Sequence, residues 1–179
     1  MKDIELQLAL INTQTNEEVD SILMRWCNSY ERLPNLMCVY DDMDKVRWLS
    51  AIGRHWSLFD NIAEYKSDLS WRFENITREE LDLLMNKEEL VFYEKLPKTL
   101  EIYRGCYVFN QDGLSWSLDK EIARGFTSLN RYKQKNKTPL LVSGLVSKKD
   151  VVINLDRREQ EVIVFDVLKI KVLNTEKLL

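Results

Sequence analysis

The sequence predicts an α+β fold in which a helical first half precedes a strand-rich second half. Up to Pro97, apolar residues recur at helical intervals, and two segments have the spacing of a capping box. After Pro97, short runs of β-branched and aromatic residues alternate with turn residues, which indicates strands. Helices and strands do not alternate regularly, so a doubly wound parallel sheet is disfavoured. We expect a mainly helical part at residues 1–97 and a strand-rich core at residues 98–179.

Length and composition suit a single domain. The chain has 179 residues, and 45% of them are hydrophobic. Such a chain can bury one substantial core and is too short for two ordinary domains, so residues 1–179 are expected to form one domain. No apolar run is long enough to cross a membrane, and the first five residues lack the pattern of a signal peptide. We therefore expect a soluble, cytoplasmic protein.

The first helix is predicted from local signals. Residues 4–10 alternate between apolar and polar, which fits either a strand or the start of a helix. Thr15 and Glu18 have capping-box spacing, and apolar residues follow at helical intervals as far as Tyr30. Pro34 is expected to end this helix, because proline lacks the N–H that a helix interior requires.

Two further helices are predicted in the first half. An amphipathic run covers residues 44–65, and Gly53 is its weak point because glycine costs about 1 kcal/mol relative to alanine inside a helix. Thr77 and Glu80 again have capping-box spacing, and this run continues to Phe92. Four tryptophans are expected to pack in the helical core or at its border with the strands: Trp26, Trp48, Trp56 and Trp71.

The second half is expected to contain strands and one helix. The predicted strands are Thr99–Tyr103, Leu114–Leu118, Pro139–Val146, Val151–Asn154, Glu161–Val167 and Lys169–Leu173. A helix at about Asp119–Ser128 follows the second strand. The cationic segment 130–137 is expected to be an exposed loop. Its single aromatic residue, Tyr132, gives little support to nucleic-acid binding.

Cysteine, histidine and charge restrict the chemistry. Three widely spaced cysteines, Cys27, Cys38 and Cys106, and one histidine, His55, do not form the clusters that zinc requires. Reduced, mostly buried thiols and a structural histidine are expected. Acidic residues predominate up to residue 101 and basic residues after it, although the net charge is only -3. The basic part would suit an anionic ligand, and a solvated face is the alternative.

Three short segments carry groups suited to a dinucleotide. The first is Tyr103-Arg104-Gly105 at the end of a predicted strand. The planar fork of Arg104 can hold a phosphate by two hydrogen bonds, and it does so better than a lysine. Gly105 has no side chain, so backbone groups beside it could approach a flat ring.

The second and third segments supply hydroxyl groups and carboxylates. Ser115 and Ser117 flank Trp116 on a strand, so both hydroxyls face one side and could orient a carboxylate. Ser117 could instead cap the following helix. Glu159 and Glu161 are two residues apart, which places both carboxylates on one face of a strand. One can stabilise charge on a sugar while the other takes a proton from an acceptor.

In their order and spacing these three segments resemble the signature of the Arg-Ser-Glu class of ADP-ribosyltransferases, the group related to cholera toxin and to the C2- and C3-like toxins. The resemblance covers about residues 100–167. It implies a split β-sandwich of two small sheets with an NAD cleft between them. The chain has five glycines and no glycine-rich nucleotide fingerprint, so NAD binding would not use a Rossmann fold.

The resemblance also implies residue roles. Arg104 would hold the NAD phosphates, Ser115 and Ser117 would match two serines of the family's central element, and Glu161 would match the catalytic glutamate. Glu159 would match the residue that accompanies arginine as acceptor. Phe126 would help to form the nicotinamide pocket together with Gly105, with core packing as the alternative for Phe126. No metal is implied. Residues 154–158 lie where the family has its target-recognising turn, and an ordinary charged hairpin is the alternative.

The implied function is mono-ADP-ribosylation of a protein side chain, with arginine as the expected acceptor. NAD would be the substrate, and the partner would be an unidentified target protein. Small enzymes of this kind are familiar among bacteriophage proteins and bacterial effectors. Two alternatives stay open: an inactive binding module on the same fold, and an NAD glycohydrolase that uses water as the acceptor.

Overall fold

A computed structural model describes residues 3–130, 132–156 and 160–178, which form eight α-helices and six β-strands. The helices are α1 Asp3–Ile11, α2 Asn16–Trp26, α3 Arg32–Cys38, α4 Lys45–His55, α5 Lys66–Arg72, α6 Arg78–Asp82, α7 Lys87–Lys95 and α8 Lys120–Phe126. The strands are β1 Thr99–Cys106, β2 Ser115–Ser117, β3 Leu140–Ser147, β4 Val152–Asn154, β5 Glu161–Ile163 and β6 Lys171–Lys177. The predicted α+β class, with helices first, is confirmed.

The predicted helix starts are confirmed because their signals are local. The Thr15 hydroxyl accepts a hydrogen bond from the backbone N–H of Glu18, and the Glu18 carboxylate accepts one from the backbone N–H of Thr15. Thr77 and Glu80 form the same reciprocal pair at the start of α6. Residues 4–10, which fitted a strand or a helix start, belong to the helix α1.

The predicted helix ends are wrong in three places. The first helix stops at Trp26, and Pro34 lies in the first turn of α3, where its missing N–H would have had no helical partner. The run at 44–65 is helical only to His55 and continues as a short 3-10 turn to Leu58. The run from Thr77 to Phe92 is two helices, because Asn86 caps a new one, α7.

All six strands belong to one antiparallel sheet with the order β4-β5-β2-β1-β3-β6. Two small sheets were expected. β1 pairs with β3 along its whole length, whereas β1 and β2 share the single registered pair Tyr103↔Ser117. The last two predicted strands shift, because β5 ends at Ile163 and β6 covers Lys171–Lys177.

One cluster of buried side chains includes residues from the helical part and from the sheet. Trp48 and Trp56 are buried in it as expected, whereas Trp26 and Trp71 are exposed, which corrects the prediction for these two. Cys27 and Cys106 are buried and Cys38 is exposed, and all three are free thiols. None of the helices in the described part of the chain has the length and apolarity that crossing a membrane requires.

Gly53 lies in α4 where this helix approaches the connection between α6 and α7. A Cβ atom at Gly53 would stand 1.9 Å from the backbone oxygen of Leu84. Gly125, in α8, is a matched contrast, because a Cβ atom there would meet nothing within 4 Å. Gly53, which the sequence indicated as a weak point of the helix, therefore allows α4 to pack closely against the connection between α6 and α7.

We predict opposite effects for the same substitution at these two glycines. Gly53→Ala should lower the free energy of unfolding by about 2 kcal/mol or more, because backbone must move to admit the methyl group. Gly125→Ala should raise it by up to about 1 kcal/mol, because alanine is the better helix former. Urea denaturation of both variants measures the difference, and a stabilised Gly53→Ala variant would contradict the packing argument.

Candidate active site

A cavity of about 540 Å³ lies between the sheet and the helical part, and its size is typical of small-molecule sites. Its walls include every sequence-predicted site residue that the structure describes: Arg104, Gly105, Ser115, Ser117, Phe126 and Glu161. The helical part contributes the opposite set of lining residues, among them Tyr30, Trp56, Asp60 and Lys66. The three segments singled out in the sequence therefore meet in one place.

Glu161 begins β5 and is held by groups from two directions. It pairs with Ser117 across the β2–β5 ladder, so the two side chains leave the same face of the sheet. The indole Nε1–H of Trp56 donates to Glu161 Oε1 at 2.9 Å. The preceding residue, Gln160, has a left-handed backbone with φ of 46°, and its carbonyl accepts from the Leu118 N–H. The carboxylate therefore has a fixed position at the cavity wall.

The serine segment combines structural and cavity-lining duties. Ser117 is 2% exposed, and its hydroxyl accepts from the backbone N–H of Asp119 at 3.0 Å. Asp119, not Ser117, is the N-cap of α8, since its carboxylate accepts from the first turn of that helix. Ser115 is half-buried at the cavity. Trp116, between the two serines, is buried and donates its indole N–H to the carbonyl of Gly113.

Arg104 builds one wall of the cavity. Its Nε donates to the carbonyl of Asn110 at 3.1 Å, and its Nη1 donates to the carbonyl of Ser115. A Cβ atom at Gly113 would lie 2.1 Å from the Arg104 Nη2, so the guanidinium packs directly on that backbone. Burial lowers the pKa of Arg104, and neighbouring groups that include Glu161 oppose this. The side chain stays cationic, because the ordinary guanidinium pKa is far above neutrality.

Gly105 has a packing role as well as a place at the cavity. A Cβ atom there would lie 1.9 Å from the backbone oxygen of Ala123, so only glycine lets β1 approach α8 this closely. Phe126, at the end of α8, lines the cavity and lies 5.9 Å from the ring of Tyr132. Tyr107 also lines the cavity. Its hydroxyl donates to the carbonyl of Thr127 and accepts from the backbone N–H of Gln134. These aromatic side chains all line the cavity.

Several predictions fall outside the described residues. Glu159 is among them, so the shared face expected for Glu159 and Glu161 is not tested. The same holds for Arg157 and Arg158 in the expected target-recognising turn, and for Arg131 in the cationic loop. These assignments stay predictions from the sequence.

Sequence reasoning assigned no residue of the helical part to the site, and two of those that line the cavity contact charged groups of the strand-rich part. Trp56 was assigned to packing alone, although its N–H reaches the carboxylate of Glu161. Lys66 was not singled out, and it pairs with Asp112 of the β1–β2 connection across the same cavity. The helical spacing of Trp56 and other apolar residues in the 44–65 run indicates only that Trp56 is buried. Neither contact leaves a local signature, because the partners are 105 and 46 positions away in the chain.

A second cavity, of about 340 Å³, contains His55 and Glu89. His55 is 3% exposed, and its Nε2 lies 2.7 Å from Asp20 Oδ1. Burial lowers the pKa of His55, and the bond to Asp20 opposes this. Burial also raises the pKa of the Glu89 carboxyl, although backbone N–H groups of Asn86 and Leu155 donate to it. His55 does not line the first cavity, in keeping with the structural role expected for it.

We predict that His55 makes the fold sensitive to mild acid. Because the folded state disfavours the imidazolium, the unfolded chain binds the proton more readily, and stability is lost as the pH falls below about 6.5. Between pH 7.5 and 5 the free energy of unfolding should therefore fall through this group. His55→Gln should remove that part of the loss. The chain has one histidine, so equal pH dependence of both proteins would refute the assignment.

Comparisons of the chain found no matching protein-family model, no matching curated protein and no matching solved structure. Within residues 3–130, 132–156 and 160–178, no group of three or more His, Cys, Asp and Glu side chains could hold a metal ion. Cations from Arg104 and Lys66 lie in the same walls of the first cavity as the carboxylate of Glu161 and the hydroxyl of Ser115.

Proposed function

We propose that this protein is a mono-ADP-ribosyltransferase that cleaves the nicotinamide glycosidic bond of NAD and transfers ADP-ribose to a protein side chain. The observation that carries the proposal is the convergence of three separate segments. Arg104, Ser115 and Glu161 line one cavity, in the chain order typical of the family that the sequence resembles. Each segment alone has an ordinary structural explanation, whereas their meeting in a cavity of this size is what a dinucleotide site requires.

The sheet supports the same proposal. Because β1 and β2 share one registered pair, the sheet is nearly divided into β4-β5-β2 and β1-β3-β6. Residues on both sides of this junction line the cavity, including Gly105 on β1 and Ser115 on β2. A near-division at the cavity is compatible with the split sandwich of two small sheets that the resemblance implies, and we propose that architecture for the strand-rich part.

In the proposed reaction the bond between the nicotinamide nitrogen and the ribose carbon breaks, and its electron pair leaves with nicotinamide. The Glu161 carboxylate stabilises the positive charge that develops on the ribosyl group. A nucleophilic atom of the acceptor then bonds to the ribosyl carbon and releases its proton. Because Trp56 and the β2–β5 ladder fix Glu161, the carboxylate is oriented before substrate arrives. The proposal assigns no role to a metal ion.

The acceptor and the setting belong to the proposal as well. Arginine is the expected acceptor because of Glu159, which would take the proton from the acceptor side chain. The partner would be a host protein modified in the cytoplasm, as for bacteriophage and bacterial effectors of this type. Gly105, Ser117 and Phe126 would shape the nicotinamide end of the cavity, which all three line.

The first test replaces Glu161 by glutamine. Glu161→Gln keeps an oxygen that can accept from Trp56 but removes the negative charge, so transfer from labelled NAD to proteins of a cell lysate should fall by about 100-fold or more. Glu94→Gln makes the same change at an exposed position of α7 and should leave the labelling unchanged. Equal labelling by the Glu161→Gln and unaltered proteins would refute the proposal.

The same incubation separates the alternatives. Release of nicotinamide without a labelled protein would indicate an NAD glycohydrolase. A folded, unaltered protein that consumes no NAD would contradict both enzymatic functions and favour a binding module. High-performance liquid chromatography of nicotinamide, run beside the protein gel, distinguishes these results.

The second test concerns the hydrogen bond from Trp56. Trp56→Phe should reduce kcat for nicotinamide release about tenfold with little change in KM, because a bond to a charged group is worth about 1.5–3 kcal/mol. Trp48→Phe is the matched control. Trp48, which lies in α4, is buried like Trp56 and donates to the backbone oxygen of Leu36 at 2.6 Å, but it does not line the cavity. Equal losses of kcat in both variants would show a general effect on the fold.

A further inference from the structure

The cavity contains an ion pair that joins its two walls. Lys66 begins α5 in the helical part, and Asp112 lies in the connection between β1 and β2. The Lys66 Nζ bonds the Asp112 Oδ2, and both residues line the cavity. The Lys66 side chain is 25% exposed and that of Asp112 is 64% exposed. The lysine is therefore largely covered, whereas its partner already faces water.

Arg104, the other cation of the cavity, is committed to the protein. Two of its three guanidinium nitrogens donate to the carbonyls of Asn110 and Ser115, and its plane packs on Gly113. If a phosphate accepted hydrogen bonds from both of these nitrogens, the carbonyls of Asn110 and Ser115 would lose their bonds to Arg104. Lys66 is held by a side chain instead, and an exposed carboxylate can rotate into water at small cost. An anion that enters the cavity can therefore replace Asp112 as the partner of Lys66.

We propose that Lys66 binds the pyrophosphate group of a dinucleotide. In the absence of this ligand Lys66 pairs with Asp112, and the pyrophosphate displaces the Asp112 carboxylate when it binds. The identity of the dinucleotide as NAD rests on the proposed function, whereas the binding of pyrophosphate does not. The other acidic residues that line the cavity in the described part of the chain are Asp60, which accepts from Ser29, and Glu161, which accepts from Trp56. Both are engaged with other side chains, so Asp112 is the carboxylate that competes for Lys66.

The two residues of the pair give opposite predictions. Lys66→Met removes the binding cation and should weaken the affinity for ADP-ribose and for inorganic pyrophosphate about tenfold or more. Asp112→Asn removes the competing charge and should strengthen both affinities about threefold or more. If the pair only holds the two walls together, both substitutions remove the same bond and should change affinity in the same direction.

Isothermal titration calorimetry with ADP-ribose and with inorganic pyrophosphate measures these affinities. Lys45→Met is the matched control, because Lys45 forms an exposed pair with Glu80 at 2.6 Å and does not line the cavity. Lys66→Arg keeps the charge and should retain most of the affinity. Circular dichroism shows whether each variant is folded, and a misfolded Lys66→Met leaves the Asp112→Asn result as the deciding one.

The results separate this inference from the proposed function. Unchanged affinity in Lys66→Met, weaker affinity in Asp112→Asn, or no binding of either probe by the unaltered protein would overturn the inference. Binding that depends on Lys66, in a protein that does not cleave NAD, would support the inference and contradict the proposed function. Cleavage of NAD by the Lys66→Met variant with an unchanged KM would support the proposed function and contradict the inference.

Discussion

The hydrogen bond from the Trp56 indole to the Glu161 carboxylate connects the helical part to the sheet at the candidate site. Trp56 is 1% exposed, and a buried indole N–H requires an acceptor, so the carboxylate is a structural partner as well as a candidate catalyst. The ring of Trp56 also packs edge-to-face against Phe59 and Phe165. Its position depends on α4, which in turn depends on the close approach at Gly53. The fixed position of Glu161 thus begins with a packing contact in the helical part.

The cavity belongs to both parts of the chain. On the sheet side, Gly105 lets α8 approach β1, and Ser117 holds the turn that leads into α8. On the helical side, Trp56 and Lys66 each contact a charged group of the strand-rich part. The acidic helical part therefore supplies a cation to the cavity, and the basic part supplies a carboxylate. A charge balance summed over each half of the sequence does not describe the charges that face a ligand.

The sequence predicted features whose causes are local. The capping boxes at Thr15 and Thr77 depend on residues three positions apart, so the helix starts were correct. The site residues that the sequence singled out, as far as the structure describes them, line one cavity, because their types and order are readable along the chain. Helix ends were predicted wrongly where one residue is compatible with two structures. Pro34 could end one helix or lie in the first turn of the next, and it lies in the first turn of α3. The partners of Arg104, Trp56 and Lys66 were missed because they depend on how separate segments pack.

Arg104 shows how one residue can satisfy a motif and a structural requirement together. Its guanidinium donates to the carbonyl of Asn110 in the β1–β2 connection and to that of Ser115 in β2, next to the point where β1 and β2 share their single registered pair. A lysine there would offer one flexible ammonium group and could not reproduce this planar pair of bonds. Arginine is therefore required for the wall of the cavity whether or not a phosphate contacts it. Because Arg104 holds this wall in place, it positions Ser115 and Asp112 at the cavity.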